Sequence, residues 1–163
     1  MLGRPLERVT LELPEIQAAT TAEVALVKAR AAFEMLGRPV VVEDAGVELA
    51  AFGGFPGPFI KFWEALGGLD SICRALDGVS SRAANAVCVL GACDAAGARV
   101  VEGRLAGVIV SEPRGTNGFG WDAIFAPVGG GGRTFAEMSA REKDAISHRR
   151  LAWLEFAERL APP

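Results

Sequence analysis

Ala83 to Cys93 and Ala98 to Val110 are two long, largely apolar runs separated only by the Asp94 to Gly97 turn, and they constrain the fold more than any other feature. Their spacing predicts a β-hairpin. Two strands alone are marginal in water, so this hairpin needs further strands and a covered face. The remaining chain offers both. Val9 to Leu13 alternates apolar and polar residues, which predicts a half-buried strand stopped by Pro14. Thr20 to Leu36 carries Val24, Val27, Ala31 and Leu36 at helical spacing, with Thr20 or Thr21 as cap, Glu23 in the first turn and Gly37 at the end. Pro39 to Glu43 is a β-branched run that reads as a buried strand.

A Gly/Pro-rich loop follows from Phe52 to Phe59, and Lys61 to Ala75 reads as short helices broken at Gly67-Gly68. Ala123 to Phe125 predicts another strand. Glu142 to Leu160 predicts one helix through Ala145, Leu151, Leu154, Phe156 and Leu160. Gly129 to Gly132 reads as a flexible loop, and no internal repeat is present. Strands mixed with helices predict a single α/β or α+β domain spanning residues 1–163.

With 50% hydrophobic and 23% charged residues, the chain has the balance of a folded globule. A formal net charge of -3 argues against a nucleic-acid coat, which needs a basic field. Cys73, Cys88 and Cys93 are odd in number and fit neither a disulfide framework nor a zinc spacing. No apolar run is long enough to span a bilayer. The expectation is a cytoplasmic protein with neither nucleic-acid nor membrane partners.

Four clusters can carry chemistry. Glu43-Asp44 lies where the predicted strand runs into Ala45-Gly46. It is either a magnesium site, one carboxylate binding metal and the other orienting water, or ordinary turn chemistry. Glu15, after Leu13-Pro14, is either a solvated loop carboxylate or the completion of that oxygen-rich site. The Gly/Pro loop leading to Lys61 either approaches a phosphate closely or is a long connection ending in a surface lysine. Phe119 and Trp121 flank Gly120 before Asp122, so they either sandwich a flat base or belong to the core. In the same C-terminal cluster, Lys143, Ser147 and His148 lie close to one face of the predicted helix and Arg149 follows directly, as ligand groups or as a solvated face.

Together the strings Leu13-Pro14-Glu15, Val42-Glu43-Asp44, Gly53-Gly54-Phe55-Pro56-Gly57-Pro58-Phe59-Ile60-Lys61, Phe119-Gly120-Trp121-Asp122, Ala136-Glu137-Met138 and Ser147-His148-Arg149 resemble the inosine-triphosphate pyrophosphatase family. They occur in the family's order from about Leu11 to the C-terminus, and six in order are highly specific. The resemblance implies an α/β fold, an elongated mixed β-sheet with flanking helices forming two lobes around a central nucleotide cleft, and a homodimer. It implies Mg2+-dependent hydrolysis of dITP, ITP and XTP to the monophosphate and pyrophosphate. By position, Glu15, Glu43 and Asp44 correspond to the metal carboxylates, with Asp44 and Glu43 catalytic and Asp44 the base or water-orienting group. Lys28, Lys61 and Lys143 correspond to phosphate or nucleotide contacts, and Phe119, Trp121, Asp122, Ser147, His148 and Arg149 to the base and sugar pocket. Family members usually open with a strand and a Thr/Ser-x-Asn-x-x-Lys phosphate loop, whereas this sequence starts at Met1-Leu2-Gly3-Arg4-Pro5. The expectation is therefore either a start recorded too late or a shortened family member. Two rivals remain: a catalytically weak nucleotide-binding homologue, and a related pyrophosphatase acting on a modified pyrimidine.

Overall fold

The computed structural model describes residues 6–159; Met1 to Pro5, where the expected start lies, and Leu160 fall outside the described residues. Helix α1 (Thr21–Leu36) begins where the sequence places it. The Thr20 side chain accepts from Glu23 N while the Glu23 carboxylate accepts from Thr20 N, a reciprocal cap, and Gly37 ends the helix in the left-handed conformation at φ 63°. Strand β1 (Val40–Leu49) follows, then the short β2 (Pro56–Gly57), and α2 (Ile60–Ala75) with non-helical Gly68 inside it, the break expected at Gly67-Gly68. The hairpin is β3 (Ala83–Asp94) and β4 (Gly97–Ile109), followed by β5 (Phe125–Pro127), α3 (Ala140–Ile146) and α4 (His148–Arg159).

The five strands form one sheet in the order β2-β1-β3-β4-β5. Where the resemblance implies a mixed sheet, the four pairings among the described residues are all antiparallel. β3 lies at the centre, with Val40↔Cys93 through Leu49↔Ala84 on one side and Ala83↔Val108 through Asp94↔Gly97 on the other. Strand alternation then sorts the residues. Val87 and Val89 pack against Ala22 and Ala25 of α1 on one face. Cys88, Leu90 and Ala92 pack against Ala152 and Phe156 of α4 on the other. Further along that second face, Val47, Leu49, Ala84 and Ala86 join Ile60 and Ile72 of α2 and Phe125 and Phe135 in the largest core.

Two glycines allow the helices to approach this closely. A Cβ at Gly91 would stand 2.5 Å from Ala25 O under α1, and one at Gly103 would fall into Ala152 N and His148 O under α4.

Three expectations need correction. Val9 to Leu13 is not a strand: the alternation is present, but no neighbouring strand pairs with it, and Val9 is exposed. The strand at Pro39 to Glu43 does not turn at Ala45-Gly46 but runs on to Leu49, because all ten of its residues pair with β3. The single C-terminal helix is two. Ser147 is extended at φ -62° and ψ 152°; its N–H donates to Lys143 O as α3 closes, and its Oγ accepts from Arg150 N as α4 opens. The break lets α4 lie on the sheet while α3 turns away from it.

Candidate functional site

The continued strand decides how the predicted carboxylates are distributed. Glu43 and Asp44 are consecutive in β1, so their side chains leave opposite faces of the sheet. Asp44, opposite Val89, lies on the α1 face. There Lys28 Nζ of α1 sits 2.7 Å from Asp44 Oδ1 and 3.1 Å from Glu15 Oε1, and Lys61 from the first turn of α2 also pairs with Glu15. Two carboxylates and two lysines thus alternate in one network. Lys61 holds the Glu15 carboxyl below its ordinary range, with Lys28 assisting and partial burial opposing. Burial pushes the Asp44 carboxyl up, outweighing the pull of Lys28. Burial also acts against the Lys28 ammonium, but Asp44 and Glu15 together raise its pKa.

Glu43, opposite Leu90, lies on the α4 face. Its Oε1 accepts from Arg149 Nε at 2.8 Å and lies 2.6 Å from the second guanidinium nitrogen. The expected set of Glu15, Glu43 and Asp44 therefore does not converge: Glu15 and Asp44 share Lys28, and a strand separates Glu43 from them. Among the described residues no group of three or more His, Cys, Asp or Glu stands together as a metal cage. The donor chemistry of Glu15 and Asp44 nevertheless fits a hard divalent cation. Both already meet one positive centre, and magnesium is held by one or two carboxylates completed by water and substrate phosphates.

On the α4 face, Ala45 is one wall of a cavity of about 360 Å³ whose other walls come from the segment 117–122, Phe135 and Met138, α3 with Ser147, and the start of α4. Phe119 is 63% exposed at its mouth, whereas Trp121 packs inward, edge-on to Phe125 at 5.7 Å and tilted against His148 at 5.2 Å. Of the two readings of this pair, Phe119 takes the open position and Trp121 the wall. Asp122 is buried; its Oδ2 accepts from Phe119 N at 2.8 Å and from Lys143 Nζ at 2.5 Å. The Lys143 ammonium also lies 4.4 Å from the Phe119 ring centre, and the Arg149 guanidinium 5.3 Å from it. Lys143 thus belongs to the aromatic cavity and does not join Lys28 and Lys61.

His148 is 5% exposed, and its Nδ1 has no hydrogen-bond partner among the described residues. Burial first, then the charges of Arg149 and Lys143, push its pKa down to about 3, so the ring is neutral at neutral pH. Ser147 is buried beside it and spends its hydroxyl on the start of α4.

Sequence reasoning missed Asn117, which ties two walls of the cavity together. Its backbone N–H donates to Ala136 O at 3.0 Å and its Nδ2 to Met138 O at 3.1 Å. It also passed over Phe135, packed against His148 at 5.9 Å, and Ala45. Asn117 stands two residues before Phe119, and an Asn-Gly pair in a loop beside an aromatic string was the available signal.

The sequence profile of the Ham1 family matches residues 4–159. A dITP/XTP pyrophosphatase of Methanopyrus kandleri is 43% identical over 157 residues, covering 96% of this chain and 83% of that protein. Inosine triphosphate pyrophosphatase 2 of Trypanosoma cruzi is 43% identical over 147 residues, 88% of this chain and 74% of that one. The solved Ham1 protein of Staphylococcus aureus superposes with a TM-score of 0.82 at 29% identity, covering 92% of this chain and 80% of that one. A HAM1 protein of Coxiella burnetii gives 0.80 at 33% identity, over 91% and 81%.

Proposed function

The chain belongs to the Ham1 family, and from that premise we propose that it hydrolyses non-standard purine nucleoside triphosphates such as dITP, ITP and XTP to the monophosphate and pyrophosphate. One observation carries the reading. An aromatic cavity of a size that suits a purine opens beside Ala45, and the residue before it, Asp44, belongs to a network of two lysines and two carboxylates. A nucleotide with its base in the cavity would cross β1 to bring its phosphates to that network.

In this reading Phe119 covers one face of the base. Arg149 and the neutral His148 offer donors to the 6-keto oxygen, which adenine replaces with a donating amine. Lys143 and Asp122 brace the cavity from beneath Phe119, and Ser147 sets the position of His148 at the start of α4. Lys28 and Lys61 bind the phosphate chain and stabilise the departing pyrophosphate. Asp44 orients a water for attack on the α-phosphorus, and the raised pKa of its half-buried carboxyl suits it to accept the proton. Glu15 and Asp44 would hold a divalent cation, Mg2+ in this proposal, which when bound neutralises phosphate oxygens. The same reading makes the protein a single-domain cytoplasmic homodimer acting on the free nucleotide pool.

The test is pyrophosphate release from dITP, with dATP and dGTP as controls, with Mg2+ and with chelator. Release from dITP well above both controls, abolished by chelator, is the expected result. Equal turnover of dATP, or no release from any of the three, would remove the assignment.

A further inference from the structure

Glu43 was expected among the metal carboxylates, and the structure gives it different company. Its side chain leaves β1 on the α4 face, away from Asp44, Glu15 and Lys28. Among the described residues its ion-pair partner is Arg149: one Glu43 oxygen accepts from Nε at 2.8 Å and lies 2.6 Å from a second guanidinium nitrogen. The pair joins residues 106 apart in sequence, one on the sheet and one in the first turn of α4.

Arg149 needs such an anchor. A cation in the first turn of a helix faces the positive end of the helix dipole. The Lys143 ammonium, over the same Phe119 ring, already takes the Asp122 carboxylate as its own partner. The side chain is 41% exposed, so open water is within its reach. Without Glu43 the helix dipole and hydration would favour the guanidinium moving outward, off the ring and away from the cavity.

We infer that Glu43 is a positioning residue of the base pocket: it fixes the Arg149 guanidinium over Phe119, and it acts on the base rather than on the phosphates or their cation. The role in turnover rests on the pyrophosphatase reading; the anchoring itself does not. A prefixed donor spares the ligand the ordering of a flexible side chain, so losing the anchor should weaken base binding by about tenfold.

The experiment uses the full chain and its Glu43→Gln variant, which keeps the side-chain shape and removes the charge. Three readouts separate the possibilities. The first is the Nε–H resonance of Arg149 in a nitrogen-correlated NMR spectrum, assigned through Arg149→Lys. It should be protected from solvent exchange in the parent and lost in Glu43→Gln. The second is quenching of tryptophan fluorescence by inosine, which has no phosphate, and its dissociation constant should rise about tenfold. The third is turnover of dITP, where KM should rise by about the same factor, kcat should stay within about twofold, and the half-saturating Mg2+ should not move. Arg149→Met should reproduce the inosine effect, and the double variant should be no worse than either single one. An unprotected Arg149 resonance in the parent would overturn the proposal. So would unchanged inosine binding in Glu43→Gln, or a kcat collapse with a raised Mg2+ requirement. A protected resonance lost in the variant, with no pyrophosphate released by the parent, would instead leave the anchor standing and remove the pyrophosphatase reading.

Discussion

Asp44 and Glu43 are neighbours with separate surroundings, and the residue scale is where their difference shows. Asp44→Asn should keep the fold, with an unchanged circular dichroism spectrum, and lower dITP turnover by about a hundredfold or more. A variant that works at the parent rate would remove Asp44 from the chemistry. His148 supplies a prediction in pH. Its imidazole takes up a proton in the folded protein only at about 3, against 6.5 for an unperturbed ring. Between those values the unfolded chain binds more protons, so this group's contribution to stability falls as pH falls below 6.5. Going from neutral pH to about pH 5 should cost about 2 kcal/mol through this ring, at about 1.4 kcal/mol per pH unit. Urea unfolding of the parent and of His148→Gln at both pH values checks it, and an equal loss in both proteins would refute it. Short strings were enough to single out several residues that line the cavity or form the lysine–carboxylate network. The partners were not: nothing in Lys143 alone points to Asp122, 21 positions earlier, rather than to a phosphate.

Among the elements, α4 has the most demanding seat. Gly103 on β4 lies directly beneath His148 O and Ala152 N, so the helix rests on bare backbone. Gly103→Ala should lower stability by about 1 to 3 kcal/mol as the helix shifts outward. It should also weaken inosine quenching, because His148 and Arg149 move with that helix. A urea midpoint equal to the parent's would contradict this seating. Helix ends were readable where a cap is a local pattern, as at Thr20, Glu23 and Gly37. The Ser147 break was not. It interrupts a continuous helical periodicity, and its cause is the separate directions that α3 and α4 take, a tertiary demand with no local mark. The strand expected at Val9 to Leu13 failed for the converse reason: alternation marks a face, but pairing needs a neighbour.

At the scale of the molecule, the sheet separates two groups of side chains that a single ligand would unite. A non-hydrolysable dITP analogue touching both faces should therefore stabilise the whole fold, by about 2.7 kcal/mol at a hundred times its dissociation constant. Thermal unfolding with the analogue, with inosine alone and with inorganic triphosphate alone separates the contributions. If the analogue stabilised no more than the better of its two halves, the groups would not belong to one site. The architecture itself was broadly legible, because the hairpin and the helical runs are long and periodic. The division of the site between two faces was not, since it follows from β1 continuing past Ala45-Gly46, which reads locally as a turn.

The central place of β3 has a consequence in time as well as in space. Its partner β4 is reached through a turn of two residues, Ala95 and Ala96, whereas β1 and the two helices that cover it come from far along the chain. Contacts that close short loops form at little entropic cost, so the β3–β4 ladder should be an early event in folding and the docking of α4 a late one. Gly97→Ala, which strains the β3–β4 turn at φ 117°, should then slow refolding, while Phe156→Ala should chiefly accelerate unfolding. Stopped-flow chevrons of the two variants would read the difference. The aromatic cavity, walled in part by the first turn of α4, would be among the last parts of the protein to exist and the first to be lost.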